Sequence, residues 1–382
     1  MRWNAAALLV IALVVGCSGG GEVPGPAPDS PAQTAFPDPG TETLDPGRAA
    51  VLQDVLNKIV TFPDSPSGSR GVTAAVVTDR WVWSGAAGAD IRGTPLRPDT
   101  SMAVASITKT FLAAEVMLLA SAGKLNLDRP LSAYVQHRLT SNSATVRQHL
   151  SMTSGVPDFE SSDYGAMDGA IAAAPGRHWT LAQSLDFHTA KVGPPGSPYS
   201  YSNPSYVLLG MLIEKITGKP LATALRRDLA TPAGLRHAAF QDAEKPQAPA
   251  AVDNNESCGA PDGFLPCRAF ASAVAAPGGL AADAPTVARW GYELYGGRVL
   301  PPDLVRQMTD GDGEYGLGTM RFTRLFGIGD AYGHGGDMPD HTSLLVVIPS
   351  ERVSIAVILA DGGRSVDRPM ADLAKELEPL LS

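Results

Sequence analysis

Cysteine is scarce, with three in 382 residues, and this excludes a fold stapled by a disulfide framework. The seven histidines are scattered and form no HExxH, and no CxxC occurs, so neither a metal nor any other cofactor is expected. Charge is sparse too: 18% of residues are charged, 30 basic against 39 acidic, for a formal net charge of -9. No basic run forms a stripe able to follow a phosphate backbone, so nucleic acid is not expected as a partner. No internal repeat is visible. What remains is 44% hydrophobic residues, enough for a large folded core.

The amino terminus reads as a separate object. Arg2 precedes an apolar run from Ala5 to Val15, followed by "VVGCSGGG". Such a run falls short of the ~20 residues that span a bilayer and fits an export signal over residues 1–16. Val14-Val-Gly-Cys17 resembles the bacterial lipobox, which implies diacylation of Cys17 and a lipoprotein on the outer face of the bacterial cytoplasmic membrane. The alternative is a secreted protein with a chance cysteine. Residues 17–46, rich in Gly, Pro, Ser and Thr, read as a disordered tether, and residues 47–382 as the folded domain. Cys258 and Cys267 bracket "CGAPDGFLPC", and in an oxidising compartment they are expected to form a local disulfide.

Apolar residues at three- and four-residue steps (Val51, Leu52, Val55, Ile59) predict a first amphipathic helix. "GVTAAVVTDRWVWSGAAG" predicts a hairpin around Thr-Asp; "EYGLGTMRF", "HTSLLVVIP" and "VSIAVILAD" predict strands near the other end. The closing "RPMADLAKELEPLLS" reads as helix. Between these ends, residues of about 105 to 285 carry mainly helical patterns. The expected class is α+β: one antiparallel sheet built from both ends of the chain, flanked by helices, with a helical subdomain inserted.

Three short stretches could carry chemistry. In "SMAVASITKTFLAAEVMLL", Lys109 follows Ser106 by three positions, so on one helix face an amine could take the hydroxyl proton, provided its own pKa is lowered. The same spacing in Ser121 and Lys124 is a decoy, because Gly123 marks a helix exit. Alone, Ser106 also fits a helix N-cap. "YSYSNPSYVLLG" sets Tyr201 and Asn203 at a loop-to-helix junction, where a phenol stabilised as phenolate by a lysine could pass protons. Alone, it also fits a turn closed by Asn-Pro. "YGHGGDMPDHTSLLVV" places His334, Gly335 and Gly336 before a strand, either as a close-approach site for substrate or as a plain glycine turn.

Taken in order, "SITK", "YSN" and "HGG" resemble the active-site elements of the penicillin-recognising serine enzymes: class C β-lactamases, DD-carboxypeptidases and related esterases. The resemblance extends over about residues 48 to 360 and includes "ATVRQHLSMTSGVPDF", "APGGLAADAPTVARWGYEL" and "YGLGT". It implies a β-lactamase/transpeptidase-like fold, with Ser106 as the acylated nucleophile and Lys109 and Tyr201 as its activating and proton-shuttling partners. Asn203, His334, Gly335 and Gly336 would bind substrate, and the backbone N–H groups of Ser106 and Asp337 would form the oxyanion hole.

Two departures bear on substrate. Gly335 stands where many members carry a hydroxyl, and His334 makes the leading charge pH-dependent. Asp337 and Asp340 would repel a substrate carboxylate if they faced the cleft, while Arg321 or Arg324 would attract one. The expected activity is therefore a DD-peptidase-like or esterase/amidase hydrolase, acting on D-alanyl peptides of peptidoglycan or on esters. A catalytically silent penicillin-binding module and a weak class C type β-lactamase are the alternatives.

Overall fold

The computed structural model describes residues 34–63, 68–253, 257–259, 261–310, 313–322 and 330–381. The expected signal segment, Cys17, the tether up to residue 33, and Arg324 lie outside the described residues.

Folding begins earlier than composition suggests. Phe36 is buried against Tyr292, with ring centroids 5.1 Å apart, and its amide donates to the Gly296 carbonyl at 2.7 Å. Strand β1 (Glu42–Thr43) then adds in parallel to a sheet edge. The tether expectation is thus corrected for residues 34–46, where Phe36 and Leu44 anchor a Pro- and Gly-rich segment whose average composition hides them. Asp45 caps α1 (Pro46–Thr61), accepting from the amides of Gly47 and Arg48, while Pro46 supplies a preset first φ. The buried stripe is Leu52, Val55, Leu56 and Ile59; Val51, expected within it, is exposed.

β2 (Gly71–Val77) and β3 (Trp81–Gly88) form the expected hairpin. After β4 (Met102–Ala103) come α2 (Thr108–Ser121), α3 (Val146–Leu150), α4 (Ser161–Ala173), α5 (Leu181–Leu185), α6 (Asn203–Thr217) and α7 (Leu221–Leu225). Next are β5 (Ala239–Phe240), α8 (Arg268–Ala273), α9 (Ala275–Gly278), β6 (Leu280–Ala282), α10 (Ala284–Tyr295) and α11 (Pro302–Thr309). The chain closes with β7 (Met320–Phe322), β8 (Ala331–Met338), β9 (His341–Ile348), β10 (Val353–Leu359) and α12 (Asp367–Leu381).

Among the described residues, seven strands form one sheet in the order β1-β3-β2-β10-β9-β8-β7, so both ends of the chain build it. β2, β9 and β10 are buried along their whole length because both faces are covered. α1 and α12 cover one face; α10 and the helical body cover the other. Within the inserted region, β4, β6 and β5 make a second, three-stranded sheet, too short for alternation to reveal. Cys258 and Cys267 form a disulfide. Among the described residues, no helix is long and apolar enough to cross a membrane.

Candidate active site

α2 is the axis of the helical body, buried on nearly every side, with Phe111 stacked on Trp290 at 3.7 Å. Ser106 sits just before it, in a 3-10 turn over residues 105–107. It does not cap the helix, since no side chain caps this end. Ala105, one residue earlier, has φ 50, a left-handed conformation that costs a non-glycine residue of order 1 kcal/mol or more. Surrounding bonds hold it there: Thr108 Oγ1 donates to the Ala105 carbonyl at 2.6 Å, and Ser343 Oγ to the Val104 carbonyl at 2.9 Å. The decoy pair is elsewhere, Ser121 ending α2 and Lys124 exposed beyond it.

Three partners surround the wholly buried Lys109 amine: Ser106 Oγ at 2.9 Å, Asn203 Oδ1 at 2.8 Å and the Pro277 carbonyl at 2.8 Å. Burial pushes its pKa down to about 7, against the opposing pull of Asp158. Tyr201 Oη donates to Ser106 Oγ at 2.8 Å. Burial holds this phenol well above its ordinary pKa, and Asp158, Tyr199 and Tyr206 push the same way. This corrects the expected phenolate: Tyr201 is a protonated donor, and the lysine is the group poised to accept.

Asn203 opens α6, where Ser202 caps the helix by accepting from the Ser205 amide. The Asn203 amide nitrogen and its Nδ2 both donate to the Asp158 carboxylate, at 2.9 and 3.2 Å. Nδ2 also lies 3.3 Å from Tyr164 Oη. Sequence reading missed Asp158, because Pro-Asp in a loop reads as a turn.

The glycine pair differs from a turn: His334, Gly335 and Gly336 lie within β8. A Cβ on Gly336 would come within 2.3 Å of the Val104 carbonyl oxygen, so glycine lets β8 press against the turn that carries Ser106. A Cβ on Gly335 would meet nothing nearer than 3.8 Å, so no crowding explains the missing hydroxyl there.

His334 is wholly buried, with Nε2 3.0 Å from Tyr315 Oη and Nδ1 2.6 Å from the Gly335 carbonyl. A carbonyl only accepts, so Nδ1 carries the proton and Nε2 accepts from the phenol. Burial and the nearby Lys109 push its pKa down to about 3. The expected pH-dependent positive charge is therefore corrected to a neutral wall of the site. The Asp337 carboxylate accepts from the Thr342 hydroxyl at 3.1 Å and the Gly363 amide at 2.9 Å. Arg321 lies on β7, its Nη1 donating to the Gly313 carbonyl at 3.3 Å.

The sequence of residues 58–378 matches the model of the Beta-lactamase family. The chain belongs to that family. Esterase EstB of Burkholderia gladioli is 32% identical over 163 residues, 40% of this chain and 41% of the esterase. The match thus spans about two fifths of that relative's length. A D-stereospecific amidohydrolase from Streptomyces shares the fold with a TM-score of 0.70 and 25% identity, over 84% of this chain and 97% of that one. D-amino acid amidase from Ochrobactrum anthropi superimposes with a TM-score of 0.73 over 88% of this Beta-lactamase family chain and 100% of the amidase. At 23% identity, that likeness speaks for the fold.

Proposed function

We propose that this protein is a serine hydrolase that works through an acyl-enzyme on Ser106, with neutral esters or amides as its substrates. The observation that carries the reading is the Lys109 amine, buried, tuned toward neutrality and 2.9 Å from Ser106 Oγ. As Oγ attacks a substrate carbonyl, its proton passes to the lysine lone pair. The N–H groups of Ser106 and Asp337 receive the oxyanion. Tyr201, protonated, relays the proton to the leaving group while the acyl–oxygen or acyl–nitrogen bond breaks. Water then hydrolyses the acyl-serine, and the free serine returns.

The esterase and amidohydrolase relatives support an ester or amide substrate. The neutral His334 and bare Gly335 favour substrates without a free carboxylate over D-alanyl peptides and penicillins. The test treats the full chain with a fluorophosphonate and a fluorescent penicillin and reads adduct mass. Fluorophosphonate is expected on Ser106 and lost in Ser106→Ala, with penicillin labelling far slower. Labelling by neither probe overturns the enzyme in favour of a silent module, and fast penicillin labelling overturns the substrate preference.

Export and anchoring through Cys17 on the outer face of the cytoplasmic membrane belong to the same proposal. They rest on the lipobox-like "VVGC". Cys17→Ala should move the protein out of the membrane fraction, and a variant that stays bound removes Cys17 as the anchor.

A further inference from the structure

A neutral lysine amine has two N–H donors and one lone pair. At Lys109, two groups that only accept, Asn203 Oδ1 and the Pro277 carbonyl, both stand at 2.8 Å and can take both protons. The lone pair is then left for Ser106 Oγ. This arrangement depends on which end of the Asn203 amide faces the lysine. Turned over, its NH2 would donate into the lone pair and consume it.

We propose that Asp158 is the positioning residue that prevents this reversal, holding Asn203 in the single amide orientation that keeps the Lys109 lone pair for Ser106. An ionised carboxylate only accepts, so it can face Nδ2 and not Oδ1. One carboxylate oxygen takes the Asn203 backbone N–H at 2.9 Å and the other takes Nδ2 at 3.2 Å, so the side chain is tied to its own main chain. Burial raises the Asp158 pKa, and what favours the carboxylate against it is the geometry: Asn203 is the first residue of α6, the Asn203 and Phe159 amides both donate to Asp158, and Lys109 lies close by.

The same charge acts on the lysine through space. Lys109 is faced by Asp158 from the loop after α3, Tyr201 and Tyr206 from the α6 region, and His334 from β8. Tyr201 and Tyr206 stay protonated and His334 stays neutral, so Asp158 is the charged member of this set. It favours the ammonium form, and its removal lowers the pH at which the base becomes free.

The role rests on the proposed acyl-enzyme chemistry, and the test separates the two. Fluorophosphonate labelling of Ser106 is followed from pH 5 to 10 in the full chain, in Asp158→Asn and in Tyr164→Phe. Absence of labelling in the wild type is a failure of the hydrolase reading. Given wild-type labelling, Asp158→Asn is expected to shift the acid limb down by about half a pH unit or more. Its plateau rate should fall by about 10- to 100-fold as Asn203 loses its fixed orientation. Tyr164→Phe keeps the charge and should leave the limb in place.

An unshifted limb in folded Asp158→Asn, or an undiminished plateau, overturns the proposal. If Asp158→Asn does not fold by its melting profile, the wild type carries the test. At atomic resolution the Asn203 amide hydrogens must point at Asp158, and the opposite orientation overturns it.

Discussion

On the proposed mechanism, Lys109 sets the pH behaviour of the site. Its amine must be unprotonated to accept, and its pKa lies at about 7, so acylation should rise with pH through neutrality and level off above it. Lys109→Ala should abolish Ser106 labelling, whereas Lys124→Ala, exposed beyond α2, should leave it intact; equal loss in both would remove the assigned base. The residues of "SITK" and "YSN" were legible because each motif is local and lies at a helix entry. Asp158 was not, because its partner Asn203 is remote in sequence and only the fold brings them together. Nor was the state of His334, since the burial that keeps it neutral is supplied by distant elements.

At the scale of elements, β8 carries two adjacent glycines with opposite demands. Gly335 has room for a methyl group and an ordinary backbone, so Gly335→Ala should hold or raise stability, by up to ~1 kcal/mol. Gly336→Ala would drive a methyl group into the Val104 carbonyl and the Ala105 side chain, costing ~2 kcal/mol or more. Displacing the Ser106 turn should also lower Ser106 labelling by about 100-fold. Thermal melts and labelling rates check both, and equal behaviour would mean β8 does not press on the turn. Strands at both ends were readable from their apolar runs. The three-stranded sheet was not, and the glycine pair disguised a strand as a turn.

For the whole molecule, three buried histidines govern acid stability. Burial pushes His149 and His334 down to about 3 and His341 to about 4, so each stays neutral in the fold. The unfolded chain takes up protons at these residues below about pH 6.5 and the folded one does not, so stability falls as pH drops through this range. Three such groups give up to ~4 kcal/mol per pH unit. The buried Glu115, whose pKa burial raises to about 8, binds a proton in the fold over the same range and offsets one of them, leaving a slope of up to ~3 kcal/mol per pH unit. Urea midpoints at pH 7.5 and 5.5 measure it, and a flat profile would mean the histidines are charged when folded.

The pairing of β2 with β10 and the pressure of Gly336 on Val104 also impose an order in time. Ser106, Lys109, Tyr201 and Asn203 have all been synthesised before β8 exists. Until the last strands arrive, β2 is paired with β3 alone and the Ser106 turn lacks the wall that holds its strained backbone. Such long-range pairing forms late. On the proposed mechanism, a growing chain would therefore carry Ser106 without the strand that braces its turn, and the site would be complete only once β8 to β10 are in place.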